Sequence, residues 1–281
     1  MSYPAVYKDM TEAEYFSLEW LAPNVLGVGI NRPPVNAFHV AMWKEMQRIF
    51  SHIKLDGEIR AVVLYGNGRC FTAGLDLLDA SLQERLSGED PARISIQLRD
   101  FIDQFQNAIS SIELCERPVI SVAHGSCIGL AIDIMSAADI RYTAADAQFS
   151  IREAAIGLAA DIGSLQRFPK IVGNDSVARE LAYTARFFDA KEAKEIGFVS
   201  KVCKNQEEAF QAAITTAKQI AQVSPIAVTG SKQAMVYSRD HTVAEGLQFM
   251  GYLNAALLQT EDVGNAIQAI MSKTSAKFAK L

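Results

Sequence analysis

With 281 residues, 49% of them hydrophobic and 21% charged, the chain has the make-up of a soluble globular protein, long enough for one large domain or a core with an appendage. A net charge of −5, with no basic run longer than a couple of residues, argues against nucleic acid as a main partner, although a local basic patch could still hold a phosphorylated ligand. Four cysteines without CxxC spacing (Cys70, Cys115, Cys127, Cys203) read as buried, reduced thiols in an intracellular setting, and four scattered histidines offer no metal-ligand spacing, so no metal is expected.

The first fifteen residues carry acids where a signal peptide needs an apolar stretch. Residues 16–20 and 24–30 alternate as two antiparallel strands about a turn at Ala22-Pro23. A loop follows at 31–38, where Pro33-Pro34 forbids regular structure. The spacing of Met42, Met46, Ile49 and Ile53 predicts a helix over 41–53, and 59–65 is an apolar run of strand length. Residues 66–76 form a glycine-bearing turn leading towards a helix, 82–90 a charged, mobile insert, and 94–114 a long amphipathic helix.

Beyond Pro118, the run 119–138 is apolar but interrupted by His124, Gly125 and Asp133, so it reads as a buried strand (119–123) and helix (129–138), not a membrane span. Strands are expected at 140–143 and 149–151. The repeated strand-strand-helix order suggests an α/β layered or spiral architecture. From Gln206 the pattern is helical only, at 206–223, 226–237 and 242–271, which divides the chain into a core (1–205) and a helical region (206–281). Val243, Leu247, Met250, Leu253 and Leu257 form a stripe expected to pack on the core or on another subunit. The last residues read as a mobile polar tail, and the final Ala279-Lys280-Leu281 is close to the Ser-Lys-Leu address read by the peroxisomal import receptor, so a peroxisomal matrix protein is expected.

The stretch 121–163 holds the chemistry. Asp133, Glu153 and Asp161, twenty and eight positions apart, lie among small and apolar residues, where carboxyl groups are rare unless paired or used. Each has a structural alternative. Asp133 could pair with Arg141 or cap a neighbouring turn, Glu153 could pair with Arg152, and Asp161 could cap the next helix. Together they suggest a pocket that moves protons. A helix starting near Gly129 puts Leu130, Asp133 and Ser136 on a side of mostly small residues, where a ligand could approach. The turns Ala73-Gly74-Leu75 and Cys127-Ile128-Gly129-Leu130 could each aim an N–H at an oxyanion. Gly66-Asn67-Gly68 lacks the third glycine of a dinucleotide loop, and Ser126 falls one place early for a nucleophile elbow.

INRPPVNAF, CFTAGLDL, the segment 118–140 and the turn around Glu153 together resemble the crotonase (enoyl-CoA hydratase/isomerase) superfamily over nearly the whole chain. SCIGLAIDIMSAADIRY, GLAADIGSLQRFPKIVGN and YSRDHTV resemble its Δ3,5-Δ2,4-dienoyl-CoA isomerase branch. The resemblance implies a crotonase-like spiral of strand-strand-helix units with a C-terminal helical trimerisation region, assembled as a homo-trimer or hexamer. It implies acyl-CoA thioester substrates, with no cofactor beyond the coenzyme A that the substrate carries. The backbone N–H groups of Leu75 and Leu130 become the oxyanion donors, and Ala73, Gly74, Leu75, Asp76, Leu77 and Leu130 the substrate-binding residues. Glu153 would work at C2, Asp161 at C6, and Asp133 would tune the pocket.

Removing a C2 proton from a 3,5-dienoyl thioester spreads charge from the thioester oxygen to C6, and returning a proton at C6 gives the 2,4-diene. Two separated acids suit that transfer. A hydratase would focus two acids on one water and fit better with Glu at 133, and a Δ3,Δ2-enoyl-CoA isomerase needs only a shorter transfer. One departure is Leu130, where the family pattern has glycine. Its side chain is expected to narrow the pocket or alter chain-length preference, and it leaves open a low-activity binding or scaffold protein.

Overall fold

The computed structural model describes residues 13–79 and 90–281. Its strands in chain order are β1 (Phe16–Ala22), β2 (Val25–Ile30), β3 (Ala61–Gly66), β4 (Val119–Ala123), β5 (Ser126–Ile128), β6 (Ile140–Ala144), β7 (Gln148–Ser150), β8 (Phe188–Asp189) and β9 (Lys201–Cys203). Strands β2, β3 and β4 are buried at every position, as their unbroken apolar sequences require of strands covered on both faces. They lie at the centre of a six-stranded sheet ordered β1-β2-β3-β4-β6-β9, parallel except for the β1–β2 hairpin. A second sheet, β5-β7-β8, stands beside it. Successive passes of the chain give one strand to each sheet, β4 then β5 and β6 then β7. That alternation is the expected spiral.

Helices α1 (Val40–Leu55), α2 (Pro91–Leu114) and α3 (Leu130–Ala137) join one core. In α1 the residues Met42, Trp43, Met46, Ile49, Phe50 and Ile53 are buried, and Trp43 stacks on Phe105 of α2 at 5.0 Å between centroids. Then come α4 (Ser164–Val172), α5 (Asp175–Thr184), α6 (Ala190–Glu195) and α7 (Gln206–Ala221). Helix α7 packs on a different group of sheet residues, through Ala209, Ala213 and Ala217 against Val63, Ile120 and Val122. Alanine at i, i+4 spacing lets its axis come close to the strands. The last helices are α8 (Pro225–Ser238), α9 (Val243–Leu257) and α10 (Asp262–Ser272).

Several expectations need correction. The helix expected at 242–271 is two helices. A Thr242–Glu245 capping box opens α9, and the chain then turns so that buried Asp262 can accept a hydrogen bond from the Ser224 hydroxyl at 2.6 Å. The α9 stripe does not pack on its own core at its first turns, where Val243 and Leu247 are 81% and 70% exposed. The tail is seated, not free. Arg60 donates to the carbonyls of Phe278 (2.7 Å) and Ala279 (3.0 Å), and Lys280 pairs with Glu58. The expected insert lies outside the described residues apart from Asp90, whose carboxylate caps α2. All four cysteines are free, three of them buried. Among the described residues, no helix is long and apolar enough to cross a membrane, and no cluster of histidine, cysteine and acidic residues could hold a metal.

Candidate active site

Two backbone arms meet at the corner where the sheets adjoin. The first begins with Asn36, a buried amide in the proline loop. Its Nδ2 donates to the carbonyls of Asn67 (2.9 Å), Cys70 (3.0 Å) and Phe71 (3.2 Å), and its Oδ1 accepts from the Arg32 N–H. Thr72 donates its hydroxyl to the Asn36 carbonyl at 2.6 Å and accepts the Gly74 N–H at 3.1 Å. Phe38 brackets the turn on both sides of Leu75, with Phe38 N–H donating to the Gly74 carbonyl and Asp76 N–H donating to the Phe38 carbonyl, each at 2.8 Å. Gly74 has φ +95°, and a Cβ there would lie 2.8 Å from the Ile128 carbonyl oxygen and 3.8 Å from the Leu130 nitrogen. The turn carrying Leu75 thereby packs directly against the backbone that leads into Leu130.

The second arm leaves β5. Gly129 donates to the Ser150 carbonyl at 2.8 Å and starts α3 with φ +55°. As the first helical residue, Leu130 has an N–H with no partner in its own helix. A Cβ on Gly129 would sit 2.9 Å from Glu153 Oε1, so that glycine also makes room for the acid. The Leu130 side chain is 1% exposed and joins the hydrophobic core. The expectation that it narrows the pocket is therefore corrected: the core absorbs the leucine side chain.

Glu153 opens a 3-10 turn after β7. Burial, with the charge of Asp161 added to it, raises its carboxyl above the ordinary range, and Oε2 is buried with no hydrogen-bond partner among the described residues. Arg152 is not its ion-pair partner. That guanidinium donates to the Ala185 carbonyl and lies over the Phe187 ring. Asp161 stands at the solvent edge, its carboxyl raised by partial burial, and its carbonyl accepts from Gln106 of α2 at 2.6 Å. It does not cap the next helix.

Asp133 does that instead. It is 0% exposed, and every other residue of α3 is buried, so its side of the helix packs inward where a ligand-facing role was expected. Its Oδ1 accepts the Ser164 N–H, the first amide of α4, at 2.5 Å, while Gly163 at the N-cap offers no side chain. Burial pushes Asp133 up to about 7. Ser164 and Arg167 draw it back and the charge of Glu153 adds to it. The three acids are thus linked, but on unequal terms: the charge of Asp161 reaches Glu153, that of Glu153 reaches Asp133, and Asp133 holds the turn behind them.

Of the other residues expected along the first arm, Ala73 donates to the Val35 carbonyl at 3.0 Å, Asp76 is committed to Arg32 at 2.7 Å with its carboxyl lowered by that bond, and Leu77 is exposed. Sequence reading missed Asn36, Gln106, Ser164 and Arg167. Only Asn36 carried a signal, as an amide in a proline-bearing loop.

A two-sheet spiral with carboxyls buried beside its second sheet has the make-up of a crotonase-type fold. The enoyl-CoA hydratase/isomerase family matches over residues 22–280, and the chain belongs to that family. Within it, the chain is 46% identical over 263 residues to the mitochondrial Δ(3,5)-Δ(2,4)-dienoyl-CoA isomerase of Mus musculus, covering 92% of this chain and 80% of that one. It is 40% identical to the peroxisomal Δ(3,5)-Δ(2,4)-dienoyl-CoA isomerase of Arabidopsis thaliana, covering 97% of this chain and all (100%) of that one. Among solved structures, the enoyl-CoA hydratase of Bacillus anthracis superposes with a TM-score of 0.84 at 28% identity, over 94% of this chain and 99% of that one.

Proposed function

We propose that the chain is a Δ3,5-Δ2,4-dienoyl-CoA isomerase, moving a proton from C2 to C6 of a 3,5-dienoyl-CoA. The names of the relatives at 40–46% identity support this. The observation that carries it is a pair of carboxyls, Glu153 and Asp161, whose affinity for protons is raised by burial, with the charge of Asp161 also raising Glu153. Neighbouring acids that both resist ionisation tend to share one proton. Ionised Glu153 takes the C2 proton, and the Leu75 and Leu130 amides hold the charge that develops on the thioester oxygen. Protonated Asp161 delivers its proton to C6. Proton exchange through solvent at the Asp161 edge then returns both acids to their starting forms.

A hydratase is expected to carry Glu at position 133, where this chain has Asp, and that supports the isomerase over the hydratase reading. The chemistry as proposed needs no cofactor, since coenzyme A arrives with the substrate. Exposed Val243, Leu247 and Tyr252 on α9 and Ile267, Ile270 and Met271 on α10 support a homo-trimer or hexamer. The relatives carry both mitochondrial and peroxisomal names. Ala279-Lys280-Leu281 supports the peroxisomal matrix, with the import receptor reading the tail once it leaves Arg60.

The deciding assay follows 2,4-dienoyl absorbance as purified protein acts on a 3,5-dienoyl-CoA, beside a cuvette of trans-2-enoyl-CoA. Conjugation with little hydration is expected. Hydration alone would move the protein to the hydratases, and silence in both would favour a binding or scaffold role.

A further inference from the structure

Arg167 lies one turn along α4 from Ser164, and nothing in the reaction as proposed uses it. Its side chain is 11% exposed. The guanidinium rests against Gly163, whose φ of +139° and missing Cβ leave the space, and Asp133 Oδ1 approaches the same face of Gly163 at 3.8 Å from where a Cβ would be. From α2, Ser110 (2.9 Å) and Glu113 (3.3 Å) accept from Arg167. Glu113 is also bound by Arg239 at the end of α8, so two buried or half-buried cations share one buried anion. Arg239 reaches Asp240 as well (3.6 Å), and Asp240 pairs with Lys170, both at the exposed end of the network.

The charged groups facing Asp133 are therefore Glu153 from the turn after β7 and Arg167 from α4, with Glu113 of α2 behind the guanidinium. Asp133 supplies the acceptor that α4 lacks at its own N-cap. An ionised carboxylate makes that bond roughly twice as strong as a neutral acid would, and the positive end of the helix favours the charge. Two residues upstream of Gly163 is Asp161.

We propose that Arg167 is a positioning residue for the acid pair: its guanidinium, held against Gly163 by α2, favours the charged form of Asp133, which grips the Ser164 amide and fixes the turn carrying Asp161. The inference deepens the isomerase reading and rests on it for its catalytic consequence. It also gives the buried Arg167–Glu113–Arg239 network a task beyond stability, linking the last helices to the acid pocket. A purely structural ion pair predicts the same harm whichever partner is removed. Control of the Asp133 charge predicts opposite electrical effects.

The test is an infrared pH titration of the full chain, following the carbonyl band of the protonated buried carboxyl identified by its loss in Asp133→Asn. Arg167→Gln is expected to move the midpoint upward, as for loss of a nearby opposite charge. Glu113→Gln leaves two guanidiniums without their anion and is expected to move it downward. Arg167→Lys keeps the charge and stays near the wild-type midpoint. In the diene assay, Arg167→Gln lowers kcat at neutral pH with KM unchanged, and kcat recovers as pH rises. An unmoved midpoint in Arg167→Gln, or shifts in the same direction for the Arg167 and Glu113 variants, would overturn the proposal. If Arg167→Gln does not fold, the direction of the Glu113→Gln shift decides. Wild-type protein that conjugates no diene would remove the isomerase reading, while the infrared midpoints would still judge Arg167.

Discussion

The two sides of the pocket are made differently. On the amide side, Asn36, Thr72 and Phe38 tie down the turn around Gly74 and Leu75 with short hydrogen bonds, and Gly74 presses on the Ile128 carbonyl with no room for another atom. On the acid side, Glu153 rides a single 3-10 turn, Asp161 sits at the surface, and Glu153 Oε2 and Asp133 Oδ2 are buried without partners among the described residues. A group that must only point can be locked by the backbone. A group that must gain and lose a proton needs surroundings that favour neither form too strongly, and incomplete solvation supplies them.

The largest expected effect removes that titratable character. Glu153→Gln and Asp161→Asn should each lower kcat about 10²–10⁴-fold while acyl-CoA still binds, read in the diene assay. Near wild-type turnover in either would sink its assigned role. The amide side is probed by Gly74→Ala, which sets a Cβ against the Ile128 carbonyl at positive φ. Displacing one oxyanion donor should cost about 10²–10³ in kcat, and the left-handed backbone about 1–2 kcal/mol of stability in denaturant. Gly157→Ala, also at positive φ but with open space around it, should show the stability loss with little change in rate. Equal rate losses at both glycines would mean that the amide side is not specially fixed.

The smallest effect concerns Asp133 and pH. Between its ordinary value of 3.8 and the folded value of about 7, folded Asp133 keeps a proton that the unfolded chain releases. Its contribution therefore makes the protein less stable as pH rises through that window. Asn at position 133 can still accept from Ser164 but cannot ionise. Thermal midpoints of Asp133→Asn should fall less between those pH values than those of the wild type, and parallel curves would refute the assignment.

What could be read from the sequence divides along similar lines. Strands β2, β3 and β4 were legible because complete burial leaves an unbroken apolar run, and α1 because its buried face recurs at helical spacing. Strands β5, β8 and β9, two or three residues long, are too short to carry a period. The turn between α9 and α10 depends on Asp262 finding Ser224, a partner in another helix, and local pattern does not contain that information. The acids stood out by their apolar neighbours. Their division of labour did not, because a helix cap supplied by a distant strand-to-helix segment looks locally like a catalytic carboxyl. Arg167 was invisible for the same reason: its meaning lies in Glu113 and Gly163, contacts fixed by tertiary packing.

The spiral also has a bearing on how the protein is born. Parallel pairing joins Ile120 to Ile140 and Tyr142 to Lys201 only after intervening helices have been laid down. The pocket gathers Asn36, Gly74, Leu130, Glu153 and Asp161 from successive passes, with Arg239 closing the charge network behind them. A chain emerging from the ribosome must therefore hold its most apolar strands exposed until the later passes arrive. Such topologies fold slowly and are vulnerable to aggregation on the way. The acid pocket can assemble only after Asp161 has followed the amide turn out of the ribosome, and the charge network behind it only after Arg239.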